Sequence, residues 1–502
     1  MKMYRKAERN QLTLEEFSLP FGGRLSADNR WVKLSKLMPW ELIEDQYALA
    51  FDEDVTDGRP PIEARMLYGA EWIKEQENLT DERALDHITE NPYMQYFLGL
   101  REFRQERLFD PSNLTRFRNR FTPEMINEVN EELYRRMEAN EREKHKGDDN
   151  SNSSGGDGGE RGKSDDDAKE QPSNSGTLIL DATVAPADIR FPTDLSLLNE
   201  CRENTEQMIN ELWEHTSRKG HKTGYIRKKA RAKYLKVTKQ RKPRKGAIKK
   251  AIREQLRYVK KNLETIERLM PEAGEVLPKK RLKRLETIRE VAKQQEEMLE
   301  TNTHTVENRI VSLRQPHVRP IVRGKARTPV EFGQKLAFSV VNGFTFIDRW
   351  DWDNFSEGNM LIESAERYKE RHGFFPAVIL GDSVYRNRAN RKFCKLHGIR
   401  LCGPRLGRPK AGELDADREQ AYRDSCERNI VESRNGIAKR RYGLNLIMSM
   451  LSSTAFTEAA FNVLVMNAAL VLRNLLRYFL VWISGIIWMV FGPPCSGSEF
   501  FR

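Results

Sequence analysis

A chain of 502 residues, 38% of them hydrophobic, is long enough for about three domains and can bury a sizeable core. The formal net charge of +12 and the sequence pI near 9.3 favour a polyanionic partner, most often nucleic acid. Five scattered cysteines without a CxxC pair argue against a zinc module and for a reducing compartment. The N-terminus has no apolar run, so no signal peptide is expected.

Residues 1–143 are predicted to form an all-α N-terminal domain. Thr80 is a candidate N-cap, and the Asp-Pro and Thr-Pro pairs at 110–111 and 122–123 fit a cap followed by Pro at the first helical position. The basic segment 112–121, SNLTRFRNRF, suggests a helix-turn-helix-like unit that binds DNA. A purely structural or dimerising helical domain explains the same pattern.

Residues 144–176 are predicted to be a disordered linker. The segment is rich in Gly, Ser, Asp and Asn and has too few apolar residues to stabilise an ordered core. It is the clearest domain boundary in the sequence.

A buried strand is predicted at 177–184, TLILDATV, which carries Asp181. The run is short, apolar and partly β-branched, and Gly176 and Pro186 bound it. A helix is predicted from Asp194, as its N-cap, through Trp213.

A long cationic run occupies residues 218–253, which hold 17 Lys and Arg and no Asp or Glu. Such a run repels itself unless a polyanion is present, so it is predicted to hold the DNA backbone; the plainer alternative is a solvated surface. The candidate contacts within it are Arg227, Lys228, Lys229, Arg231, Arg241, Lys242, Arg244 and Lys245.

Two amphipathic stripes, at 248–270 and 282–298, predict an antiparallel helical hairpin with a turn that holds Pro271, Gly274 and Pro278. Together with the cationic run they form a predicted basic helical insert at 195–325.

Further strands and helices predict a mixed sheet. Two apolar runs flank Asn342-Gly343, which is typical of a hairpin with a primed turn. A helix is predicted over 356–372, and further strands at 374–382, which ends in Asp382, and at 398–404. Residues 177–194 and 326–475 are therefore predicted to form one α/β domain with helices against the sheet.

The segment CERNIVESRNGIAK carries Arg428, Glu432 and Lys439, four and then seven residues apart. On an α-helix these offsets place all three on one face. A carboxylate between two cations can hold a metal ion while the cations hold phosphates. An ordinary exposed i,i+4 pair would show the same spacing.

Three acids on separate elements, Asp181, Asp382 and Glu432, suit phosphodiester chemistry. Hydrolysis and transesterification need charge stabilised on the attacking and leaving oxygens, and two Mg²⁺ ions held by carboxylates can supply this. The predicted strand ends are the usual place for such a site in an open sheet.

The C-terminal residues 476–502 are predicted to be an apolar tail. The uncharged run after Arg477 is shorter than the roughly 20 residues that a membrane span needs, so no membrane is expected. A membrane-associated basic protein is the alternative that this tail suggests.

The motif Arg428-x3-Glu432-x6-Lys439 resembles the Tyr-Arg-Glu-Lys signature of DDE-class insertion-sequence transposases of the "insertion sequence four" type. The tyrosine would fall at Ser425, and Tyr422 lies one turn earlier. LDAT and GDSVY resemble the two aspartate motifs of these enzymes. The N-terminal segments ENPYMQYFLGL and FDPSNLTRFRNRF resemble the "insertion sequence five" family.

This resemblance implies a ribonuclease-H-like mixed sheet with a large helical insert. It implies that Asp181, Asp382 and Glu432 bind two Mg²⁺ ions, or Mn²⁺, and that Arg428 and Lys439 contact DNA phosphate. The expected partners are double-stranded DNA, as element ends and as target, and a second copy of the chain. The expected location is the cytoplasm, on the nucleoid. A catalytically silent DNA-binding regulator with the same fold is the alternative function.

Overall fold

The computed structural model describes residues 13–19, 22–51, 61–149, 174–217, 224–323, 329–403 and 413–491. The described α-helices are α1 (Arg30–Leu37), α2 (Trp40–Leu49), α3 (Ala64–Glu77), α4 (Asp81–Glu90), α5 (Pro92–Phe97), α6 (Ser112–Arg120), α7 (Pro123–Asp149), α8 (Asp194–Trp213), α9 (Gly224–Thr238), α10 (Lys245–Ala273), α11 (Lys279–Glu300), α12 (Leu361–His372), α13 (Arg388–Leu396), α14 (Glu413–Arg441) and α15 (Ser452–Phe491). The described strands are β1 (Thr177–Pro186), β2 (Arg319–Val322), β3 (Val330–Val341), β4 (Phe344–Asp351), β5 (Val378–Leu380) and β6 (Arg400–Leu401).

Helices α1–α7 occupy the segment predicted as an N-terminal helical domain, and their buried residues belong to one core with α15 and the sheet. The Thr80 side chain accepts from the backbone N–H of Arg83, as predicted for an N-cap. The carboxylate of Asp110 accepts from the N–H of Ser112 at 2.9 Å, and α7 begins at Pro123. These local bonds satisfy helix-end N–H groups that would otherwise lack partners.

Helix α7 continues to Asp149, six residues into the segment predicted as linker. Arg142 pairs with Glu138 one turn earlier at 3.4 Å, and such pairs support a polar helix end. The rest of the predicted linker up to residue 173 lies outside the described residues.

The sheet is mixed, with β1 at its centre. One edge of β1 pairs with β3 in antiparallel register and the other with β5 in parallel register, and β6 continues the sheet parallel to β5. The free edge of β3 pairs with β2 near its start and with β4 over the rest. Asn342 and Gly343 join β3 to β4 with φ of 52° and 78°, which is the predicted primed turn.

The helical insert has a core of its own. Helices α8, α10 and α11 bury one face each against one another, and the predicted α10–α11 hairpin is present. Pro271 lies inside α10 rather than in the turn. The insert is shorter than predicted, because β2 falls within 195–325 but pairs with the sheet.

Helix α15 connects the helical domain to the sheet. It packs on α7, α3 and β4, and its residues belong to the same continuous core as the N-terminal helices. Its segment Ser452–Asn474 is long and apolar enough to cross a membrane, but 78% of an apolar 18-residue stretch within it is buried inside the protein. The predicted tail continues as helix to Phe491, and residues 492–502 lie outside the described part.

Candidate active site

The two predicted catalytic aspartates lie on neighbouring strands of the sheet centre. Asp181 is in the middle of β1, and Asp382 follows β5 by two residues. In the parallel register Ile179 pairs with Leu380, so each aspartate lies two residues beyond that pair. Since side chains alternate along strands, both carboxylates fall at one level of the sheet.

Gly381 leaves room for the Tyr385 ring between β5 and the Asp382 segment. A Cβ at this position would lie 2.8 Å from the ring of buried Tyr385, so a larger residue would displace it. The Gly381 N–H donates to the Cys402 sulfur at 3.2 Å, and the Cys402 thiol donates to the Gly381 carbonyl at 3.1 Å. These bonds tie the Asp382 segment to the end of β6.

Helix α14 brings three polar side chains to the aspartates from one face. A guanidinium nitrogen of Arg428 lies 2.5 Å from the Asp382 carboxylate, and the other terminal nitrogen lies 3.9 Å from Glu432. The Asn435 amide donates to Asp181 at 2.6 Å. The predicted helix face therefore points at the two strand-borne aspartates, and Arg428 bridges two of the three predicted metal ligands.

The electrostatics of Asp181 differ from those of an exposed carboxylate. Burial raises the pKa of Asp181 to about 6, and the charges of Asp382 and Glu357 add to this effect. The Ala182 N–H and the Arg323 guanidinium act in the opposite direction on the same pKa. Glu357 in turn pairs with the buried Lys335 at 2.9 Å. Two further acids, Asp382 and Glu357, thus act on Asp181, and each of them has a cationic partner.

In the described part of the chain, no three His, Cys, Asp or Glu side chains lie close enough together to hold a metal ion. A guanidinium links two of the predicted ligands instead, because Arg428 lies 2.5 Å from Asp382 and 3.9 Å from Glu432. The donor chemistry nevertheless suits a hard cation. The Oδ1 of Asn435, the amide bonded to Asp181, is buried and has no hydrogen-bond partner among the described residues. An unsatisfied oxygen beside carboxylates is what Mg²⁺ or its bound water would satisfy.

The predicted DNA contacts differ in their surroundings. Seven of the eight candidate contacts of the cationic run are exposed on α9, on the following turn or at the start of α10; these are Lys228, Lys229, Arg231, Arg241, Lys242, Arg244 and Lys245. Arg227 is half-buried and donates to the Glu206 carbonyl at 2.9 Å, so it anchors α9 to α8. Lys439 is half-buried near the end of α14.

Sequence reasoning missed three residues around Asp181: Asn435, Glu357 and Arg323. Asn435 lies three residues after Glu432, so the helical periodicity that places Arg428 and Glu432 on one face also places Asn435 there. Glu357 comes from a short 3₁₀ turn, and Arg323 donates to the Ala182 carbonyl at 3.2 Å just after β2. No periodic pattern marks those two.

Two segments of the chain match family models of transposases. Residues 379–469 match a family model described as "Transposase DDE domain", and residues 20–120 match one described as "Transposase domain (DUF772)". The first segment contains Asp382 and Glu432, and the second contains α1–α6. Both matches support an insertion-sequence transposase.

One curated relative is "Uncharacterized protein ORF8 in nfe locus" of Rhizobium meliloti, 32% identical over 98 residues, or 20% of this chain. The alignment spans 46% of that relative, about half its length. No solved structure matches the chain. Asp181 and the helical insert lie outside both family matches, so the local geometry alone connects them to the site.

Proposed function

We propose that this chain is a DDE transposase that binds the ends of its mobile element and catalyses metal-dependent DNA strand cleavage and strand transfer. The observation that carries the proposal is the meeting of α14, inside the matched DDE segment, with Asp181 and Asp382. The mixed sheet, with β1 between an antiparallel and a parallel neighbour, supports a ribonuclease-H-like fold. The N-terminal motifs support membership of the "insertion sequence five" family.

Asp181, Asp382 and Glu432 are the proposed ligands of two Mg²⁺ ions, or of Mn²⁺. Bound there, the metal would stabilise charge on the attacking and leaving oxygens of the phosphodiester. Asn435 holds the Asp181 carboxylate in one orientation through its 2.6 Å bond. Arg428 would release Asp382 and turn to a DNA phosphate, for which its planar guanidinium is suited. Lys439 is proposed as a second phosphate contact.

DNA binding is proposed to be divided between two surfaces. The exposed cations of α9 and of the start of α10 would contact the backbone without reading sequence. Helix α6 would read base edges, because its exposed face carries Ser112, Thr115, Arg116, Asn119 and Arg120. The protein is proposed to work as a homodimer on DNA in the cytoplasm, on the nucleoid.

A catalytically silent DNA-binding regulator is the second candidate. The pairing of Arg428 with both Asp382 and Glu432 favours it, because the guanidinium already neutralises two of the three acids. The two candidates differ in whether the protein cuts DNA.

The test is strand cleavage of DNA that carries the sequences flanking the element, with Mg²⁺, with Mn²⁺ and with EDTA. The transposase is expected to nick only with metal. Asp181→Asn, Asp382→Asn and Glu432→Gln should each abolish nicking while DNA binding persists. Glu427→Gln, an exposed change on the same helix, is the matched control and should cleave normally. Specific binding of the ends without nicking in either metal would identify the regulator.

A further inference from the structure

A second charged feature lies away from the three acids, at the junction of the insert and the sheet domain. A cleft of about 690 Å³ separates the start of α11 from the loop that joins α14 to α15. This basic cleft is lined by Pro278, Lys280, Arg281, Arg284, Arg314, Met450 and Leu451.

The lining of the basic cleft includes four cations and no carboxylate, although Arg284 and Arg314 also attract the half-buried Glu200 carboxylate nearby. Arg281 pairs with Glu211 at 2.8 Å, and Arg284 donates to the neutral amide of Asn204 at 3.3 Å. Lys280 and Arg314 are exposed. Lys280, Arg281 and Arg284 also lie in the first turns of α11, where the helix dipole is positive and opposes further cations. An anion in the cleft would relieve this repulsion.

The loop on the other side of the basic cleft exposes apolar side chains. Met448 is 58% exposed, Met450 47% and Leu451 53%. The loop backbone is nevertheless fixed, because Ile447 exchanges hydrogen bonds with Pro186 and Asp188, and the Glu458 carboxylate accepts from the N–H groups of Met448 and Ser449. These apolar side chains are therefore exposed to solvent on a loop whose backbone is ordered. Such an exposed apolar patch is typical of a binding surface.

We infer that the basic cleft binds a DNA strand, with its phosphates on Lys280, Arg284 and Arg314 and a base against Met450 and Leu451. The inference rests on the proposed function, since DNA is taken to be the substrate. Cations beside an exposed apolar edge match the phosphate backbone and an unstacked base of a nucleic-acid strand.

The position of the cleft connects it to the candidate active site. Ile447 pairs with Pro186, five residues after Asp181 on β1, and a strand advances about 3.3 Å per residue. The loop thus begins roughly 17 Å from Asp181, about five base-pair steps along a duplex. DNA that lies on the acids can continue into the cleft.

The first test measures the phosphate contacts with the full-length protein. Lys280→Gln/Arg314→Gln and a control, Lys261→Gln/Lys293→Gln, remove equal charge from exposed positions of the insert. Binding to duplex DNA is followed by fluorescence anisotropy over a salt series. The cleft variant should bind about tenfold more weakly and lose about 2 units of log–log salt slope relative to the control. Equal slopes and affinities in the two variants would overturn the inference.

The second test concerns the base contact. A duplex with 2-aminopurine placed at successive positions should brighten at one position when the wild-type protein binds, because the base leaves the stack. Met450→Ser/Leu451→Ser should lose this signal and still bind within a few fold. A signal that persists in the variant, or that appears at no position, contradicts the base contact.

Cleavage by the wild-type protein separates the inference from the proposed function. If the protein shows the charge dependence and the fluorescence signal but never cleaves, the basic cleft binds DNA and the proposed transposase activity is wrong. If the wild-type protein cleaves DNA and the cleft variants match their controls, the proposed DNA binding in the cleft is wrong and the proposed activity is supported. Binding of Lys280→Gln/Arg314→Gln to anionic phospholipid vesicles is the remaining comparison; a loss there with unchanged DNA binding would also overturn the inference.

Discussion

Burial and hydrogen bonding change the pKa of Asp181 in opposite directions. Burial raises the pKa of the carboxylic acid to about 6, whereas the Ala182 N–H favours the ionised form. The Asn435 amide donates to the same carboxylate from α14 at 2.6 Å. Burying a carboxylate costs folding free energy unless a cation binds it. Because the Asp181 carboxylate is also fixed in orientation, it is better suited to bind a cation than to stabilise the fold. We therefore propose that Asn435 is a positioning residue of the candidate site.

Asn435→Ala removes the hydrogen bond to Asp181 and should weaken metal use rather than folding. The Mg²⁺ concentration for half-maximal cleavage is expected to rise by about 10- to 100-fold, as for other residues that orient metal ligands. The melting temperature should change only modestly, since one hydrogen bond contributes about 1 kcal/mol net. A Mg²⁺ titration of cleavage and a thermal melt measure the two effects.

The control for this change is Asn429→Ala, an exposed asparagine on the same helix. It should leave both the Mg²⁺ titration and the melting temperature unchanged. If Asn435→Ala lowers stability strongly and leaves the Mg²⁺ requirement as it was, Asn435 is a packing residue and the positioning role is wrong.

Among the elements, α14 was the most predictable, because one period explains its active face. The offsets of Arg428 and Glu432 placed both on the face that meets the aspartates. The sequence could not show that Arg428 would pair with Asp382, because that contact joins residues 46 apart in the chain. Side-chain pairing between distant elements depends on tertiary packing, which periodicity does not describe.

The strands were predicted less accurately than the helices. Residues 374–382 form only the three-residue strand β5, and Phe375, which precedes it, packs on Phe393 of α13. Strand β2 was missed because it contains Pro320, which disfavours a central strand; it pairs with the edge of β3 instead. The N-cap of α8 is Thr193 in a capping box with Ser196, not Asp194, whose carboxylate accepts from Gln295 and Arg309.

The exposed part of α9 should bind DNA without sequence preference. Lys228→Gln/Lys229→Gln/Arg231→Gln is expected to weaken binding to specific and random duplexes equally, and to reduce the log–log salt slope by roughly 2 to 3 units. Arg227 is left intact because it anchors the helix to the Glu206 carbonyl. Fluorescence anisotropy over a salt series gives both quantities.

The matched control for the α9 variant is Arg257→Gln/Lys261→Gln/Lys293→Gln, three exposed cations elsewhere on the insert. Its affinity and slope should stay close to wild type. A loss confined to the specific duplex would mean that α9 reads sequence, and no loss would mean that the cationic run is a solvated surface.

At the scale of the whole molecule, the helical N-terminal domain and the sheet domain share one core. Asn467 on α15 is fully buried and donates to Asn130 of α7 and to the Thr345 carbonyl of β4. It also accepts from the Thr345 N–H and from Arg434 of α14. One side chain thus holds the N-terminal domain, the sheet and the Glu432 helix together, so a DNA-reading surface on α6 would be rigidly connected to the active site.

A buried charge cluster lies across the same junction. Lys74 pairs with Glu75 and, at 3.3 Å, with Glu71 on α3, and Arg118 of α6 lies 2.7 Å from Glu71. The Glu458 carboxylate of α15 is also buried there. Because acids outnumber bases in this cluster, burial and the charges of Glu458 and Glu71 raise the pKa of Glu75 above its ordinary value, against the opposing effect of Lys74.

Stability should therefore fall as pH rises from about 4.5 to about 8, between the pKa of Glu75 in the unfolded chain and its pKa in the folded chain. A raised pKa in the folded state means that the folded chain holds a proton which the unfolded chain releases above about pH 4.5. The free energy of unfolding then decreases with pH until Glu75 is ionised in both states.

Glu75→Gln keeps the shape of the side chain and removes its titration. The variant should match wild type at about pH 5 and melt at a higher temperature than wild type at about pH 9. Glu82→Gln, an exposed change on α4, should follow wild type at both pH values. Thermal melts of the three proteins across this range decide the matter: if Glu75→Gln is less stable than wild type near pH 9, Glu75 is ionised in the fold and acts as the partner of Lys74.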